Sequence, residues 1–265
     1  MMREFIAQIF RRDRLLGVVG GAHLALFVLM LCIVPFDTRT VMGINPWIKP
    51  MKFAFSIAVY VWTVAWFLKY LRGPRWALRM VSWGVSGAMV VEIACITVQA
   101  ARGTTSHYNV ATPFNAAIFG LMGGMIVVNT LLAVLLLSLF VMQSVDVDRV
   151  YLWGIRLGLV LLLLGSAEGM GMILHGAHTV GMPDGGPGLP LVNWSTQAGD
   201  LRSAHLLGLH AFQILPLAAY GLARWKIASA DGRRLAFFFS FALAYLGVTI
   251  LLFLQAVHGH PLVRL

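Results

Sequence analysis

Acidic side chains are scarce in this chain. Ten Asp and Glu stand against 20 Lys and Arg, and charged residues of both signs make up only 11% of its 265 residues. So few charges cannot cover the surface of a water-soluble domain of this size. Cysteine is nearly missing too. Cys32 and Cys95 both lie inside apolar runs, so they read as buried thiols rather than a disulfide framework. There is no Cys-x-x-Cys, no His-Glu-x-x-His and no Cys-x-x-Cys-His, which removes the common zinc signatures and covalent haem attachment. No basic stripe with interleaved exposed aromatics is left over, so no nucleic-acid partner is expected.

What is present is long apolar runs. Hydrophobic residues make up 59% of the chain, and its mean hydropathy is +0.82. Runs of roughly 20 apolar residues read as membrane spans. They are continuous rather than alternating, which favours helices over barrel strands. The expected fold is an all-α integral membrane protein, a single seven-transmembrane helix bundle over residues 1–265. Its spans are placed at about 14–35, 50–71, 78–101, 114–142, 151–174, 202–222 and 234–257. The first run is too long for a signal-peptide core and is kept as a span. Asn45-Pro46, Thr112-Pro113 and Asp200 look like helix starts, and Trp47 like an interfacial anchor.

Cations set the orientation. Of the 20 Lys and Arg, fourteen fall in the N-terminal segment and the second, fourth and sixth connections, Lys226 among them. The other side has only Arg39, Lys49, Lys52, Arg102, Arg202 and Arg264. The excess predicts a cytoplasmic N-terminus and an extracytoplasmic C-terminus in a multi-pass protein of the inner (plasma) membrane. Membrane lipids are expected partners. Glycines recur at Gly17, Gly20 and Gly21, at Gly84 and Gly87, and at Gly120, Gly123 and Gly124, and they read as helix-packing positions.

The histidines are one-sided. His107, His175, His178, His205, His258 and His260 fall at outer helix ends or in outer loops, and only His23 and His210 lie deeper. Two acids, Glu92 and Glu168, sit inside spans, where ionisable residues are costly and tied to function. Residues seven apart share a helix face, which stacks Glu92 with Gln99 and Glu168 with His175. His210 and Gln213, three apart, also share a face. If four spans surround one cavity, Gln99, Gln213 and Gln255 would line its wall. The 25-residue stretch from His175 to Gly199 contains Met182-Pro183-Asp184-Gly185-Gly186 and reads as a lid or binding loop.

The leading expectation is a membrane-embedded metal-binding protein with an outward-facing His/Glu site. His175, His178 and His210 would hold a zinc-like divalent ion. Glu168 would be a general base or fourth ligand and Glu92 a proton acceptor, for metal-assisted conversion of a lipophilic substrate. Two alternatives stay open. One is a b-type haem or quinone redox protein, with His175 and His210 as axial ligands and room beside Gly169 and Gly171. The other is a proton-coupled transporter in which Glu92 and Glu168 carry protons, relayed by His23 or His210.

Overall fold

The computed structural model describes residues 2–224 and 231–264; Lys226 and Leu265 lie outside the described residues. Among the described residues seven helices are long and apolar enough to cross a membrane. The chain is therefore a multi-pass membrane protein with a seven-helix architecture. Backbone packing groups it into two compact units, 1–135 and 136–265.

The first unit begins with a helix that the run of N-terminal arginines did not reveal. α1 (Met2–Arg12) is short and amphipathic, with Ile9 fully buried. Its last residue docks on the end of a span. The Arg12 guanidinium donates to the Trp66 carbonyl at 2.7 Å and lies 3.4 Å over the Trp66 ring. Asp13 then caps α2 (Arg14–Ile33), its carboxylate accepting from Leu16 N at 3.0 Å. α3 (Ile48–Leu68), α4 (Arg75–Ala101) and most of α5 (Pro113–Met142) complete the unit.

Thr112 caps α5 as its sequence promised, accepting from Asn115 N at 3.2 Å. Asn45 does this and more. Its NH2 donates to the carbonyls of Val34 and Asp37, folding the loop, while its Oδ1 accepts from Trp47 N at 3.0 Å at the start of α3. The same loop holds Asp37 between Arg39 and the Trp47 indole, with Arg39 reaching on to the Ala101 carbonyl. The Arg39 hydrogen bond keeps the Asp37 carboxyl well below the usual carboxylate range.

In the second unit, Asp148 caps α6 (Arg149–His175), accepting from Val150 N and Tyr151 N. Gly176 ends that helix in the left-handed conformation, φ 74°. α7 (Arg202–Ala223) and α8 (Asp231–Val257) follow. The tightest seam joins α6 and α7. A Cβ on Gly165 would meet Leu209 N at 2.8 Å, and one on Gly208 would meet Gly165 Cα at 2.7 Å. Gly154 and Gly158 face Ala219 and the Ala211 carbonyl in the same way. Such close backbone approach is how helices associate where lipid supplies no hydrophobic drive.

The glycine expectation holds at three of its eight positions. Gly20 lies against Trp62, Gly84 against Leu132 and Gly17 against Phe10. At Gly21, Gly87, Gly120, Gly123 and Gly124 an added Cβ would meet no atom within 4 Å among the described residues.

The long α6–α7 connection is folded. β1 (Thr179–Val180) pairs antiparallel with β2 (Gly199–Asp200), in the register Thr179 to Asp200. Leu189 N donates to the Trp194 carbonyl at 2.8 Å, and Thr196 N to the Pro187 carbonyl at 3.0 Å. Gly199 admits the carbonyl of Ala256 so closely that no side chain fits there.

Candidate functional site

In the first unit the candidate site is built on α4. Glu92 is 3% exposed, and its Oε2 has no hydrogen-bond partner among the described residues. Beside it lie Cys95 and Ile96 of the same helix and Met122 of α5, with Phe53, Val91 and Ile118 packed around them. Lys49, in the first turn of α3, is within electrostatic reach of Glu92. An intramembrane carboxyl with an orphaned oxygen, bearing on a lysine, is the most chemically loaded arrangement in this unit.

Lys49 also meets His107, Nζ to Nδ1 at 3.2 Å, and the Ser106 hydroxyl is 3.0 Å from the same nitrogen. An ammonium can only donate, so Nδ1 accepts from Lys49 and the ring proton sits on Nε2. Phe53, Tyr108 and Phe119 surround the imidazole at centroid distances of 6.1 to 6.3 Å. The sequence placed His107 only among outer-loop histidines and Lys49 only among outer cations. The one available hint was Lys49-Pro50 at a helix start, three residues from the next lysine, Lys52.

One helical stretch above Glu92, Gln99 is fully buried and sits in a polar network. It donates to Asn115 Oδ1 at 3.1 Å and accepts from Arg102 at 2.6 Å. Arg102 also donates to Asn115 Oδ1, and its guanidinium lies 4.5 Å over Phe114. Asn115 donates to Asn109, and Asn109 donates to Thr104. This network closes the C-terminal end of α4 against the start of α5. Gln99 thus has its expected polar setting, but its amide is engaged with protein groups.

In the second unit the proposed metal ligands are engaged one by one. His175 is exposed at the last turn of α6, its Nε2 3.3 Å from the Thr179 carbonyl. His178 is buried and its Nδ1 lies 2.8 Å from Asp184 Oδ2. His210 Nδ1 meets Gln213 Oε1 at 3.3 Å, so these two do share a helix face. Among the described residues no group of three His, Cys, Asp or Glu side chains could hold a metal ion. The side chains of His175, His178 and His210, expected from the sequence to share one ion, are not assembled into such a group here. The left-handed turn at Gly176 ends α6 between His175 and His178, and Asp184 draws His178 into the loop.

Glu168 stands on α6, partly buried, and its Oε1 also lacks a partner among the described residues. Gln255 donates to the Pro261 carbonyl at 2.6 Å and secures the tail after α8. The room expected beside Gly169 is taken by the His205 ring, whose Cε1 would lie 2.8 Å from a Cβ there. His205 is held by the Gly165 carbonyl at 2.8 Å, with His178 and His210 in electrostatic reach. A macrocycle against α6 at Gly169 would have to displace that ring. His23 Nδ1 donates to the Val19 carbonyl at 2.7 Å, and its Nε2 is unpartnered among the described residues.

Two aspartates fold the loop between His175 and α7. Asp200 accepts from Arg202 Nε at 2.8 Å, from Arg202 N, and from Ser195 N at 2.7 Å. Asp184 accepts from His178 N, from Thr179 N at 2.9 Å and from the His178 ring. Partial burial raises the Asp184 carboxyl, but the hydrogen bonds from His178 and Thr179 outweigh it and hold it well below the usual carboxylate range. Folded Asp184 keeps its charge at a pH where a free aspartate, near 3.8, has lost it. Its contribution is complete above that free value and disappears as the pH falls through the lower folded one. Asp184→Asn should cost the loop about 2 kcal/mol, the order for lost charge-assisted hydrogen bonds. Amide exchange at His178 and Thr179 should be faster in the variant at pH 6. Unchanged protection there would show that Asp184 does not hold the loop.

No family model, curated protein or solved structure matches this chain.

Proposed function

We propose that this protein is a proton-coupled transporter of a small polar solute, with Glu92 as the group that takes up and releases the proton. The observation that carries this reading is the orphaned Oε2 of a carboxyl buried in a span. An ionisable group at that depth is costly and is retained where protons or ions move. Lys49 and His107 supply the polar groups between Glu92 and the outer loops. The aromatic side chains of Phe53, Tyr108 and Phe119 supply apolar walls. A proton leaving Glu92 would leave a carboxylate facing an ammonium, and a proton returning would restore the neutral acid. The test is purified protein in vesicles loaded with a pH-sensitive dye, challenged with labelled cationic, zwitterionic and anionic solutes. Uptake of one solute class coupled to a change in luminal pH supports the reading. Solute uptake with no proton movement overturns it.

A second reading is carried by His178. Its Nδ1 donates to the Asp184 carboxylate, a carboxylate–histidine pairing found behind many metal ligands and general bases. This favours a metal-dependent enzyme acting on a lipophilic substrate at the second unit. Elemental analysis of protein purified without added metal separates the two. Stoichiometric metal lost in His178→Ala favours the enzyme, and a metal-free, active protein removes it.

The cation excess supports an inner (plasma) membrane protein with its N-terminus in the cytoplasm. A reporter inserted near Gly73 should read cytoplasmic, and one fused after Arg264 extracytoplasmic. A cytoplasmic reading after Arg264 in folded protein would reverse the orientation.

A further inference from the structure

The end of the first unit opposite the Lys49–His107 cluster carries a cleft of about 290 Å³. Its walls come from the α1–α2 junction, the end of α3 and the first turns of α4. Four cations line it, Arg12, Arg14, Lys69 and Arg79, against a single acid, Asp13. Asp13 is already occupied as the cap of α2. Arg12 is held by the Trp66 carbonyl and ring. Arg14, Lys69 and Arg79 are exposed, and among the described residues none of them forms an ion pair. Four like charges around one cleft repel each other, and an anion in it relieves that repulsion.

The surroundings say which anion. Arg79 and Trp83 are four residues apart and share a face of α4, with Trp76 on the same face one turn earlier. Trp76 and Trp83 are 64% and 68% exposed, on a helix that spans the membrane. Indoles beside a guanidinium at a span's end match the depth of lipid headgroups. Leu15, Leu68 and Leu78 give the cleft an apolar floor. Basic pockets between spans recognise the phosphates of anionic lipids by this combination of charge and apolar wall.

We propose that this cleft binds a phosphate anion, supplied by the phosphodiester of an anionic glycerophospholipid whose acyl chains run along the Trp76 and Trp83 face of α4. The proposal is independent of the transport reading, because it uses neither Glu92 nor the outer cluster.

The experiment is native mass spectrometry of the full chain in neutral detergent. The probes are dioleoyl phosphatidylglycerol, dioleoyl phosphatidylcholine and inorganic phosphate. Phosphatidylglycerol should be retained about tenfold or more over phosphatidylcholine, the order expected for several cations acting on one anionic lipid. Lys69→Gln combined with Arg79→Gln should remove most of that preference, while Arg79→Lys should keep it. Both side chains are exposed, so the variants should unfold at the wild-type temperature, which a thermal scan checks. Arg233→Gln, exposed at the start of α8, should change nothing. Inorganic phosphate at equal concentration should not displace the lipid. Displacement would identify free phosphate as the anion and overturn the lipid assignment. Equal retention of both lipids, or a preference unchanged in the double variant, would overturn the site itself.

Discussion

Glu92→Gln is expected to abolish proton-linked solute uptake in reconstituted vesicles, by about a hundredfold or more, the usual loss when a proton-transferring side chain is removed. The amide has the size of the acid and keeps a hydrogen-bonding capacity, so the packing around Cys95, Ile96 and Met122 should survive. What it lacks is an exchangeable proton. Folding is checked by thermal unfolding in detergent, where variant and wild type should agree within a few degrees. Glu168→Gln is the comparison, since among the described residues that carboxyl also has an orphaned oxygen but no cation bearing on it. It should lower uptake much less. Full proton-linked uptake in Glu92→Gln would remove the transport reading, whatever Glu168→Gln does.

Gly165→Ala is expected to be strongly destabilising. The added Cβ would sit 2.8 Å from Leu209 N and 2.9 Å from Gly208 C, and both are backbone atoms that cannot swing aside. Overpacking of this kind costs about 1–3 kcal/mol, with the upper end expected where backbone must move. Gly123→Ala provides an internal control. Nothing lies within 4 Å of its Cβ, so the change should be neutral or slightly stabilising through the better helix propensity of alanine. Thermal unfolding of the two variants in one detergent compares them directly. Equal unfolding temperatures would show that the α6–α7 seam is not set by glycine.

The spans were legible because bilayer thickness is a one-dimensional constraint. A run of apolar residues either reaches across or does not, and the seven observed helices begin and end within three residues of their expected limits. α1 was hidden because only 11 residues carry its pattern and its arginines were already explained by charge asymmetry. The site was legible only as a list of residue types. Glu92 was singled out by depth, and the structure gives it an unpartnered oxygen. Lys49 and His107 come together across 58 positions of sequence, and no spacing rule encodes that contact. His175, His178 and His210 looked like a ligand set because they are close in sequence or share an end of the bundle. A single turn at Gly176 and one hydrogen bond to Asp184 are enough to send them to different partners. The glycines failed for a related reason. Spacing reports which residues share a face, but not whether a neighbouring helix covers it.

The α6–α7 seam has a consequence for handling the protein. Lipid tails are as apolar as leucine, so contacts between spans gain nothing from the hydrophobic effect and rest on close atomic fit. The glycine seam has that fit in backbone atoms and should hold through an exchange of detergent. α8 buries only 11% of its apolar stretch and is pinned at mid-span by the Tyr245 hydroxyl on the Leu207 carbonyl at 2.6 Å. Its seating therefore rests on the acyl chains around it far more than that of α6 or α7. A change of solubilising medium would act first on α8 and would leave the paired glycine helices as they are.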